Sequence, residues 1–162
     1  MKKSIALYVV MLNLVLAFSL FNQTEKVQAQ STDGLTGVGI ILGEPTGLAG
    51  HYFLTENTAL AAGLAWSFSG SNRLHIHIDY QINNFDLISV EHGKLSFYYG
   101  IGGRIQIREN RDDKLGVRIP LGLNYFFAEG PFSVFIEAVP VLDLVPGTDF
   151  GANGGLGFRY HF

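Results

Sequence analysis

The 162-residue sequence contains no cysteine, and only 15% of its residues are charged. Without cysteine there is no disulfide framework, thiolate metal site, cysteine nucleophile or lipid-modified N-terminal cysteine. Lysine is nearly missing too: beyond residue 29 only Lys94 and Lys114 occur, whereas a water-facing surface normally carries many Lys and Glu. No basic cluster exists to seek nucleic acid. Beyond residue 29, no apolar run approaches the ~20 residues of a membrane-spanning helix. Disorder is excluded by a 48% hydrophobic content at a net charge of −3. The length suits one domain with a sizeable core.

What is present begins with an address. Lys2 and Lys3 precede an uncharged run from Ile5 to Phe21, whose one strongly polar member is Asn13, and a polar stretch then ends in Val27-Gln28-Ala29. This is the pattern of a secretory signal peptide over residues 1–29, cleaved after Ala29. The run is longer than a usual signal core, so an uncleaved membrane anchor is the alternative. Cleavage leaves 8 basic and 13 acidic side chains on residues 30–162.

Along the remaining chain the period is two. Leu74, Ile76, Ile78, Tyr80 and Ile82 fall on one face, and His75, His77, Asp79 and Gln81 on the other; a helix would scatter them. The pattern recurs over 95–108 and 115–127, and the last run sets Leu156, Phe158, Tyr160 and Phe162 against Gly157, Arg159 and His161. Weaker runs cover 35–42, 48–54, 60–69 and 132–142, with turn residues between the runs. Eight strands of ~10 residues fit this length; twelve do not. Outward turns are expected at 43–47, 70–72, 109–114 and 143–153.

Alternation alone does not say which face is wet. The apolar face is bulky and aromatic, with Trp66, Phe68, Tyr80, Phe97, Tyr99, Tyr125 and Phe127, a volume that an eight-stranded lumen could hardly hold. The other face mixes glycine, alanine and serine with a few charged or imidazole groups, which suits a narrow interior. The expected fold is therefore all-β: an eight-stranded antiparallel up-and-down transmembrane β-barrel over residues 30–162, with lipid around it. The ending Gly-Phe-Arg-Tyr-His-Phe places aromatics at alternate positions.

The stretches Gly37–Leu48 (containing Gly43-Glu44-Pro45-Thr46-Gly47), Leu64–Phe68, Leu74–Tyr80, Tyr98–Arg104, Gly116–Leu123 and Leu142–Phe150 resemble a family of small, uncharacterised exported outer-membrane β-barrel proteins of bacteria. The architecture is similar to the OmpX and OmpA transmembrane domains. One departure is His51, where relatives often carry lysine before the aromatic. The resemblance implies fold and address, in the bacterial outer membrane, and no activity. Phe158, Tyr160 and Phe162 resemble the C-terminal signal that the barrel assembly machinery reads.

Several residues are candidates for chemistry. His75, His77 and Asp79 share a face, but alternate strand residues stand ~6.8 Å apart and need ligands from neighbours to hold a metal, so hydrogen-bonded filling of the lumen is the plainer expectation. Arg104 and Arg118 lie nearly opposite one another across a hairpin, and unpaired cations there are costly. The expectation is an interior network of Asp79, Arg104, Arg118 and Glu137 that fills the barrel and fixes register. Pro120 and Pro140 each delete a ladder hydrogen bond and ask for a bulge or a rim position. Gly37, Gly39 and Gly43 precede no helix and form no nucleotide loop. No motif points to a cofactor, catalytic site or surface partner.

The expected role is non-enzymatic, structural or in surface interaction. One alternative is a soluble, lipocalin-like periplasmic barrel for a small apolar ligand. Another is a lipid-modifying hydrolase drawing on Ser67, Ser69, His51 and His75, although no Gly-x-Ser-x-Gly motif occurs.

Overall fold

A computed structural model describes residues 32–44, 46–67, 73–109 and 112–162. The signal segment 1–29 and parts of three turns lie outside these residues. Nine strands follow one another: β1 (Thr36–Glu44), β2 (Gly47–Phe53), β3 (Thr58–Ser67), β4 (Arg73–Asn84), β5 (Lys94–Arg108), β6 (Lys114–Arg118), β7 (Leu121–Phe126), β8 (Phe132–Val145) and β9 (Asp149–His161). Each pairs antiparallel with its neighbours, and β1 pairs with β9, so the sheet closes on itself. β6 and β7 share one place between β5 and β8, which makes a ring of 8. Closure leaves no strand edge unpaired.

The run expected as one strand over 115–127 is broken at Ile119-Pro120. Proline has no N–H to give the ladder. The register sets Arg118 opposite Val141 and Leu121 opposite Ala138, so the break faces Val139-Pro140 on β8. Both prolines thus fall at one place, and the carbonyls there stay in use: Ile119 N–H donates to the Pro140 carbonyl (3.0 Å) and Gly100 N–H to that of Pro120 (3.0 Å). The bulge lies not at the prolines but between Leu115 and Gly116.

The last strand begins at Asp149 rather than near Leu156, and β8 runs on to Val145. The turn between them is therefore 146–148, shorter than the sequence suggested. The glycine-rich stretch 151–155 pairs in register with β8. At the β1–β2 turn Gly43 has φ +145°, a backbone state open to glycine. Thr46 Oγ1 both accepts from Gly43 N–H (3.1 Å) and donates to the Gly43 carbonyl (2.9 Å).

The two faces differ sharply. Ile40, Leu48, Leu64, Trp66, Ile78, Tyr99, Ile101, Ile119, Ile136, Leu156 and Phe158 point out and are exposed, Ile101 to 61%. The lumen holds the buried polar residues, among them Asp79, Gln81, Arg104, Arg118, Asn124, Glu137, Asp143 and Arg159. One wall of the lumen is small: Gly37 and Gly39 on β1, Ala49 on β2, and Ala59, Ala61, Gly63 and Ala65 on β3. Long side chains from β4–β9 fill the space toward that wall, which is how a tube of this strand number is packed.

Candidate functional site

The lumen holds almost all the buried chemistry, and its geometry follows from register. Asp79 stands opposite Gly102, and Gly102 opposite Arg118. Because Gly102 has no side chain, the carboxylate and guanidinium meet across it: Arg118 Nε donates to Asp79 Oδ2 at 3.1 Å and lies 2.9 Å from Oδ1. A Cβ on Gly102 would stand 2.0 Å from Asp79 Oδ1. Arg118 Nη2 also lies 3.6 Å from Glu137 Oε1.

The same device recurs twice. Arg104 opposes Gly116, and Gly116 opposes Asp143. Arg104 donates from Nε (3.0 Å) and Nη2 (2.7 and 2.9 Å) to the Asp143 carboxylate, and from Nη1 to Asn153 Oδ1 (2.8 Å). Lys114 Nζ joins at 2.7 Å from Asp143 Oδ2 and 3.0 Å from Asp149 Oδ2. Tyr98 opposes Gly122, and Gly122 opposes Glu137; the Tyr98 hydroxyl donates to Glu137 Oε2 at 3.0 Å. In each row the central glycine supplies the space, and the charge-assisted bonds fix the neighbours' register.

Of the four residues singled out in the sequence, Asp79, Arg118 and Glu137 come together, while Arg104 faces a different carboxylate, Asp143. The two arginines are not directly opposed; each faces a glycine, offset by two residues. Asp143 was missed because Pro146 and Gly147 made it look like the start of a turn. The signal was available: Val139, Val141 and Asp143 continue the inward alternation while Leu142 and Leu144 point out.

Imidazoles fill the gaps. The His75 and His77 rings stand edge to face at 5.4 Å, and His77 Nε2 lies 3.9 Å from Asp79 Oδ2. Among the described residues no group of three His, Cys, Asp or Glu side chains is arranged to hold a metal. His51 is not near the His75 end. It lies toward the termini, buried like His75, so the two do not share a rim as a hydrolase would need. Ser69 lies outside the described residues.

The terminus-proximal end of the lumen is closed by rings that the sequence pattern did not suggest. Phe53 lies 6.0 Å from Phe126 and 6.4 Å from Phe85, and Phe85 lies 5.9 Å from Phe126. His51 packs edge-on against Phe53 (4.7 Å), and the His161 ring lies tilted against Phe126 (5.2 Å). Phe85 comes from the longest connection, 85–93, whose His92 carbonyl accepts from the Tyr125 hydroxyl (3.0 Å). Outside the barrel Phe158 and Tyr160 on β9, and Phe162 just after it, are exposed, with Phe132 stacked on Phe158 (5.4 Å).

No family model matches the sequence, and no curated protein matches it either. Among solved structures the chain is similar to the N-terminal β-barrel domain of OprF from Pseudomonas aeruginosa. The TM-score is 0.58, with 17% identity over 80% of this chain and 98% of that one. At that identity the likeness bears on the fold, which is the closed antiparallel barrel described above.

Proposed function

We propose that this is a non-enzymatic protein of the bacterial outer membrane, a barrel with a side-chain-filled lumen and a structural or surface-interaction role. The observation that carries this reading is the inversion of faces: bulky aliphatics and rings outside, ion pairs inside. Fully removing one such side chain from water is worth about 1.5–3 kcal/mol, so a belt of them around the whole circumference is stable only in hydrocarbon. Among the described residues no helix is long and apolar enough to cross a membrane, and closed barrels cross with strands.

The start of β1 and the end of β9 lie at one end, which in this reading faces the periplasm after removal of residues 1–29. The aromatics Phe158, Tyr160 and Phe162 then serve as the assembly signal for the barrel assembly machinery. Opposite-facing turns such as 146–148 are short, which leaves little for a large adhesive tip. The network of Asp79, Arg118 and Glu137, with Arg104 on Asp143, acts in packing and register rather than in catalysis. A carrier of apolar ligands would need an apolar lumen, and this one is lined by charge.

Envelope fractionation tests the proposal. The protein is expected in the outer-membrane fraction, resistant to salt and extracted by detergent, with heat-dependent migration on gels. Recovery as a soluble monomer in plain buffer would overturn it.

A further inference from the structure

At the end where β1 begins and β9 finishes, the connection 85–93 rises beyond the rim and is fixed on both sides. Phe85 turns into the lumen against Phe53 and Phe126. At the other side the Tyr125 hydroxyl donates to the His92 carbonyl (3.0 Å), and Tyr125 pairs with Leu95. Gly93, with φ +72°, then leads the chain into β5, and a Cβ there would stand 2.3 Å from the Phe126 carbonyl. The arch held in this way leaves Leu87, Ile88 and Val90 exposed, Leu87 to 64%. Three neighbouring aliphatics facing water ask for a cover.

A cleft of about 550 Å³ lies between this arch and the β2–β3 turn, with Thr32 in its wall. Glu56, Asp86 and Lys94 line it together with Ile88 and Val90. Its walls are tied to one another: Asn83 N–H donates to the Asn57 carbonyl (2.7 Å), and Thr32 Oγ1 to the Glu56 carbonyl (2.7 Å). A second cleft of about 260 Å³ adjoins it and shares Thr32, Gly93 and Lys94. Its lining is mostly apolar, with Leu35, Phe126, Phe127, Pro131 and Phe132. Phe127 and Phe132 also belong to the exposed outer belt, so this cleft is continuous with the lipid-facing wall. A chamber carrying charges of both signs is thus joined to an apolar one that reaches the outside of the barrel.

We propose that the cleft under the 85–93 connection binds the headgroup of a phospholipid carrying a primary amine, its acyl chains passing Phe127 and Phe132 into the periplasmic leaflet. The ammonium meets Glu56 and Asp86, and the phosphate meets Lys94. A primary ammonium donates up to three hydrogen bonds; a choline head donates none, and a glycerol head brings no cation to the two carboxylates. The exposed aliphatics of the arch then lie against lipid rather than water. This inference rests on the membrane reading proposed above.

Native mass spectrometry of the full-length protein, released from vesicles of equal parts phosphatidylethanolamine, phosphatidylcholine and phosphatidylglycerol, tests it. One phosphatidylethanolamine is expected to stay on each chain, in preference to the other two lipids. The double variant Glu56→Gln/Asp86→Asn should lower that retention about fivefold, as befits two exposed ion pairs. Both side chains are exposed, and heat-dependent migration on gels checks that the variant is folded. Asp112→Asn/Asp113→Asn, at the opposite rim, should retain the lipid as the unaltered protein does. Retention without headgroup preference, or unchanged in the Glu56/Asp86 double variant, would overturn the site while leaving the membrane barrel standing. A chain that stays soluble without detergent would instead overturn both.

Discussion

Toward Lys114, the buried arginines Arg104 and Arg118 each have a carboxylate against them across a glycine. Toward the termini the same lumen holds Phe53, Phe85 and Phe126, with His51, His161 and Arg159 behind them and several polar nitrogens unpartnered. One end is thus filled by ion pairs and the other by rings. The difference teaches that a narrow tube can be closed either by directional bonds that specify register or by apolar volume that does not. Ion pairs of this kind add specificity more than net stability, since desolvation offsets much of their attraction, but removing one partner exposes the full cost of the other.

Breaking the pair on Gly102 should have the largest effect. Asp79→Ala leaves Arg118 with Glu137 alone, at 3.6 Å, and an expected loss of about 3–5 kcal/mol, read by urea unfolding in micelles. At the ring end, Phe126→Ala is expected to cost about 3 kcal/mol in the same measurement, without altering the ion pairs. Equal sensitivity of the two mutants to salt would erase the contrast, because only the ionic end should respond.

The glycine rows offer a sharper comparison. Gly102→Ala must displace Asp79, whose Oδ1 would lie 2.0 Å from the new carbon, and should destabilise by about 2 kcal/mol. Gly103→Ala, one residue along and facing out, meets nothing closer than the Gly116 carbonyl at 3.9 Å and should change stability by less than ~0.5 kcal/mol. The smallest effect among the ionic changes is expected for Arg104→Met, about 1 kcal/mol, because Lys114 remains 2.7 Å from Asp143.

The barrel and its ionic end were largely legible in the sequence, because alternation is a direct image of a wall with two different solvents. Arg104, Arg118, Asp79 and Glu137 announce themselves as charges on the small-residue face. Asp143 was hidden by the turn chemistry that follows it, although Leu142 and Leu144 carried the period past it. The glycine-rich start of β9 could not be read, since residues without side chains have no period to show. Nor could the ring end: Phe53 and Phe126 are apolar residues on the polar face, and only the folded barrel shows that they meet there. Pro120 and Pro140 signal missing ladder bonds in the sequence, but that they face one place is visible only in the pairing.

The central claim is that hydrocarbon surrounds the outer face, and Trp66 reports on it directly. It is the one tryptophan of the sequence, and it points outward with 45% of its surface exposed. Reconstituted into vesicles of brominated lipid, the protein is expected to lose most of its tryptophan fluorescence while remaining insensitive to aqueous iodide. Strong quenching by iodide with none by the brominated chains would place that face in water and contradict the account.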